Sequence, residues 1–107
     1  MDDKTLLERA ARAAGIYYWL EDDVLLTHGD DGPGSFRQWN PLTDSGQALE
    51  LAVSLEMDIG QMVTEVCVTV TALAFDSDVA AHDVPWGADP LAATRRAIVL
   101  VAADMAN

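Results

Sequence analysis

The chain has 107 residues, half of them hydrophobic, with 18 acidic against 6 basic side chains, a formal net charge of −12 and one cysteine. That length suits one domain spanning 1–107, and the apolar content is ample for a core, which excludes a disordered chain. A lone Cys excludes an intramolecular disulfide or a cysteine-based zinc cluster, and so strong a negative charge disfavours direct DNA, RNA or membrane binding while leaving a basic protein partner open.

Charges at Lys4, Glu8, Arg9 and Arg12 interrupt the stretch where a signal peptide needs an unbroken apolar run. The expectation is a cytoplasmic protein. From Asp3 to Ala14, the spacing of Leu6, Leu7, Ala10, Ala11 and Ala14 predicts a short amphipathic helix, with Gly15 in the C-cap position. Ile16 to Leu20 is β-branched and aromatic and reads as a strand. Glu21-Asp22-Asp23 is a turn, Val24 to Thr27 pairs back, and Ser35 to Trp39 follows the Gly29–Gly34 loop as a further short strand.

A Pro-bearing turn leads into Asp44 or Thr43 as N-cap, with Gln47 three beyond Asp44 as in a capping box. A largely buried helix is predicted to run from there to a stop near Asp58 to Gly60. Met62 to Phe75 alternates like a central strand, with Val66, Val68 and Val70 on one face and Thr69 and Thr71 on the other. Asp76-Ser77-Asp78 turns the chain, and Val79 to Val84 returns antiparallel. Asp89 as N-cap and Pro90 at the first helical position open the last helix. There Leu91, Thr94, Ile98, Val101 and Met105 share a face, Arg95 flanks it, and Val99 and Leu100 point away. A helix apolar nearly all round needs a second cover, and another copy of the chain is the simplest. The predicted class is α/β: a small, mainly antiparallel sheet of about four strands with three helices.

Few residues carry chemistry. His28, Asp30, Asp31, His82 and Asp83 include types that hold metals, but no known ligand spacing joins them, and no metal or cofactor is expected. The Gly-Asp-Asp-Gly-Pro-Gly loop lacks the Lys of a phosphate cradle. Cys67 sits mid-strand without a basic neighbour and reads as packing, and no serine lies in a nucleophile elbow. Trp19, Trp39 and Trp86 flank strand ends or turns; as core plugs they are ordinary, as interface anchors they are the sharper reading. Arg95 and Arg96 are two of only six cations, adjacent in an apolar helix. Arg95 is placed to brace Asp44 or Glu50, and Arg96 to meet a partner's carboxylate.

Two stretches, Trp39-Asn40-Pro41-Leu42-Thr43-Asp44-Ser45-Gly46-Gln47-Ala48-Leu49 and Asp89-Pro90-Leu91-Ala92-Ala93-Thr94-Arg95-Arg96-Ala97-Ile98, together with the Leu6 to Gly15 opening, resemble the small phage and prophage proteins of the phage ABA sandwich domain. The resemblance implies α/β/α layering, a bacteriophage or prophage origin and residence in the host cytoplasm. It brings no activity, cofactor or catalytic residue. The resulting expectation is a non-enzymatic accessory protein that binds another protein through Trp39, Trp86, Arg95 and Arg96. One form of this is interference with a host nucleic-acid-handling factor, whose phosphate sites the carboxylates occupy. The competing readings are a small metal-dependent or other enzyme using the His and Asp loops, and a structural homo-oligomer or homodimer with Val99 and Leu100 at the interface.

Overall fold

A computed structural model describes residues 2–29, 31–63, 68–74 and 80–106. Helix α1 (Asp3–Ala14) starts where Asp2, in extended backbone, accepts the Thr5 N–H at 2.8 Å. It ends at Gly15, whose φ of 71° is a left-handed conformation that turns its N–H back onto the last carbonyls. Leu6, Leu7, Ala10 and Ala11 form its buried face.

Three short strands follow: β1 (Trp19–Glu21), β2 (Val24–His28) and β3 (Phe36–Gln38), paired antiparallel in the order β1-β2-β3. The β1–β2 turn is two residues long, with Asp22 and Asp23 both at positive φ as a tight hairpin demands. The strand expected over 16–20 is shorter at its start. Ile16 and Tyr18 instead pack on the main core.

Helix α2 (Ser45–Ser54) begins at Asp44, whose carboxylate accepts the Gln47 N–H at 3.0 Å. The Gln47 side chain does not close a capping box. Its oxygen accepts the Asn40 N–H at 2.6 Å and its amide donates to the Gln38 carbonyl at 2.8 Å, so a buried polar group ties α2 to the end of β3. The helix stops earlier than predicted. Glu56 takes a φ of 54° and the chain leaves directly into β4 (Met57–Val63).

Strand β4 pairs antiparallel with β5 (Val68–Ala74) from Val63 opposite Val68 to Met57 opposite Ala74, and β5 pairs with β6 (Ala80–Pro85). The single strand predicted over Met62 to Phe75 is therefore corrected to parts of two paired strands. Asp58 and Gly60, poor strand formers, read as a helix stop when they lie inside β4. The predicted return of the chain is β6. The Asp76-Ser77-Asp78 turn, the packing role of Cys67 and the two-faced alternation of Val66, Val68, Val70, Thr69 and Thr71 lie outside what is described.

Helix α3 (Pro90–Met105) opens as predicted, Asp89 accepting the N–H groups of Leu91 and Ala92 at 3.1 Å. It is buried on two sides rather than along one stripe. Ile98, Val99, Ala102 and Ala103 join Leu6, Leu7, Ala10, Ala11, Leu25, Trp39 and Leu51 in the main core. Ala93, Ala97 and Val101 form a second core with Met57, Val84 and Trp86. Leu91, placed with them by periodicity, is exposed. Alanines where α1 meets α3 let the backbones approach closely, and Arg9 donates to the Ala103 carbonyl across that contact at 3.2 Å.

The fold is thus mixed α/β, the described residues forming three helices and antiparallel strands divided between two three-stranded sheets. The first sheet meets the main core through Leu25, and the second lies against α3. The helices stand between them, and the outline is long, 50 × 32 × 26 Å. No described helix is long and apolar enough to cross a membrane.

Candidate functional site

Two of the residues assigned to contacts from sequence are occupied in the fold. Trp39 is 3% exposed and plugs the main core, its backbone N–H donating to the Leu25 carbonyl at 2.9 Å, so it is corrected from interface anchor to core residue. Val99 is 0% exposed and is likewise corrected, because α1 and the second sheet cover the two apolar sides of α3 within one chain. Leu100 is partly buried on the main core, and Trp86 is half-buried on the α3 alanines.

The arginine pair is also engaged within the chain, Arg95 half-buried and Arg96 at the surface. Arg95 braces the start of α2, although not through Asp44 or Glu50: it donates from Nε to the Leu42 carbonyl at 2.8 Å and from a terminal nitrogen to the Ser45 hydroxyl at 2.9 Å. A backbone carbonyl left over by the Pro-bearing turn supplies the acceptor. Glu50 pairs instead with Arg37 at 3.5 Å, and Arg96 reaches Asp3 at 3.4 Å.

The metal-binding alternative finds no convergence among the described residues. His28 belongs to the first sheet, whereas His82 belongs to the second and bonds Asp104 of α3 at 2.5 Å. Asp31 is exposed in the loop after β2, and Asp30 lies outside the described residues. Shallow hollows mark the described surface. One, of about 240 Å³, lies between α1, β3 and α2 and is lined by Trp39, Gln47 and the Arg37–Glu50 pair. Another, of about 160 Å³, is apolar and is lined by Leu49, Ile59, Leu91 and Arg95.

What the sequence reading missed is the outer face of the first sheet. Side chains alternate along β1, β2 and β3, and Leu25 and Thr27 point inward, Thr27 donating to the Tyr17 carbonyl at 2.8 Å. That bond holds Tyr17 level with His28, opposite which stands Phe36, while Trp19 stands opposite Leu26. Tyr17, Trp19, His28 and Phe36 therefore share one face. The Tyr17 and His28 rings stack at 5.4 Å and 17°, Trp19 tilts against both at 6.1 and 5.4 Å, and Phe36 meets Trp19 edge-on at 6.4 Å. Neighbouring rings hold one another in place, yet Tyr17 is 68% and Phe36 62% exposed. The available signal was the i, i+2 spacing of Tyr17 and Trp19.

Electrostatics around this sheet are acidic. Glu21 follows Trp19 on the same face, at the hairpin end, and Asp31 lies in the loop at the other end. Asp23, in the turn, is paired with Lys4 at 3.1 Å. On the inward side, burial and the neighbouring Glu8 carboxylate push the Tyr18 hydroxyl above its ordinary range, while that hydroxyl donates to Glu8 at 3.4 Å.

Compared with known proteins, the chain matches no family model, no curated protein and no solved structure.

Proposed function

We propose that this chain is an acidic, non-catalytic accessory protein of phage or prophage origin that works in the host cytoplasm by binding another protein through the outer face of its first sheet. One observation carries the reading: four contiguous rings, two of them more than half exposed, occupy one sheet face, whereas the other large rings among the described residues, Tyr18, Trp39 and Trp86, are turned toward cores. Rigid aromatic side chains supply contact area at low conformational cost and are enriched where proteins meet. The net charge of −12 directs the choice of partner toward a basic surface, in keeping with a nucleic-acid-handling host factor whose phosphate sites the carboxylates occupy. The phage origin rests on the resemblance of the Trp39–Leu49 and Asp89–Ile98 segments.

The experiment is affinity capture from host lysate with the wild-type chain and with a Tyr17→Ala/Phe36→Ala variant of matching thermal stability. The expected result is a captured protein that the variant loses and that nucleic acid displaces. Capture by both chains alike contradicts the reading.

A further inference from the structure

Resting on the assignment of this face as the contact surface, we infer that its occupant is an extended, arginine-bearing segment of a partner protein, with guanidinium groups at alternate positions lying over the exposed rings of Tyr17 and Phe36. Aromatic faces attract cations, and the planar guanidinium both stacks on a ring and keeps its charge. Glu21 at the hairpin end and Asp31 at the loop end place carboxylates at both limits of the ring patch. Arg37, the described cation of these three strands, pairs with Glu50 of α2. Five of the chain's six basic side chains already contact its own carboxylates, carbonyls or hydroxyl groups, which leaves a large acidic excess for an incoming cation.

Spacing supports an extended chain. Neighbouring ring centroids lie 5.4 to 6.4 Å apart. Same-side residues of an extended strand are separated by about 6.6 to 6.8 Å, close to the 6.1 Å from Tyr17 to Trp19 and the 6.4 Å from Trp19 to Phe36, so side chains at the first and third of three alternate positions are placed for the two exposed rings, with Trp19 beneath the middle one. The patch is an open sheet face, which matches a strand laid across it. Single-stranded nucleic acid also stacks on rings, but its phosphates meet the same carboxylates with like charge.

The test titrates short peptides containing Arg-Ser-Arg-Ser-Arg, and their Lys and Gln counterparts, into the full chain while ring-proton chemical shifts are followed. The arginine peptide is expected to shift Tyr17, Trp19 and Phe36 and to weaken as salt rises. The Gln peptide is expected to bind roughly tenfold or more weakly, and the Lys peptide to fall between. Tyr17→Ala and Phe36→Ala each lower affinity about two- to fivefold. If either disturbs folding, Phe36→Leu removes the ring while keeping bulk, and Glu21→Gln tests the charge without touching a ring; each is expected to weaken the arginine peptide. Equal binding by the Gln peptide, shifts confined to other surfaces, or tighter binding of an oligothymidylate overturns the inference. If no arginine peptide binds while the Tyr17→Ala/Phe36→Ala chain still loses its captured protein, the cationic occupant is wrong and the contact face stands. If that variant also captures as well as wild type, both fall.

Discussion

The outer face of the first sheet and the two buried sides of α3 are both dense in apolar residues, yet they are built from different kinds. On α3 the buried positions are mainly Ala and Val, small enough for α1 and the second sheet to approach closely, and all are covered by the chain itself. On the sheet they are large rings that lean on one another and still face outward. Small side chains that vanish into contacts hold the fold together. Large ones left in the open after the cores are filled are available for a partner.

The contrast can be broken by substitution, starting in the core. Leu51→Ala, which empties a fully buried site between α2 and the main core, is expected to cost about 2 to 5 kcal/mol in chemical denaturation. Gln47→Ala leaves the Asn40 N–H and the Gln38 carbonyl without their partner at a largely buried junction, and about 1 to 3 kcal/mol is expected to be lost. Arg95→Ala removes two hydrogen bonds, one of them to a backbone carbonyl, in a part-exposed setting, and thermal unfolding should register a loss of about 1 kcal/mol. Tyr17→Ala, by contrast, is expected to leave stability within about 0.5 kcal/mol of wild type. A loss as large as that of Leu51→Ala would make the ring patch a structural element and erase the distinction.

The weakest effect sharpens the picture of how the helices begin. Asp2 is held below its ordinary range by its bonds to Thr5. A carboxyl depressed in the folded state contributes stability above its unfolded pKa and loses it as pH falls through the folded value. Asp2→Asn should therefore flatten a small decline of α1 helicity in acid, measured by circular dichroism. An unchanged decline would assign it to other carboxylates.

Helix starts were readable because their chemistry is local. Asp44 and Asp89-Pro90 announce their helices, and Gly15 announces an end, without reference to anything distant in the chain. Strand β4 was hidden because Asp58 and Gly60 are poor strand formers and read as the end of a helix, and only pairing with β5 reveals it. The destination of a ring is not local either. Trp19 and Trp39 both sit near turns, and the two differ only in which side of the first sheet the helices occupy. Val99 was misassigned for the same reason, since two covers for α3 come from segments far away in sequence. Arg95 was read as bracing the carboxylate of Asp44 or Glu50; it does brace the start of α2, but through the Leu42 carbonyl and the Ser45 hydroxyl, and a backbone acceptor is one that no side-chain pattern displays.

The most direct test of the claim that the first sheet's outer face is the contact surface is a footprint of the captured protein on this chain, taken by ring and amide chemical-shift changes on complex formation. The account predicts changes centred on Tyr17, Trp19, His28 and Phe36, with α3 unmoved. Changes confined to α3, or to the hollow lined by Leu49, Ile59 and Leu91, would contradict it.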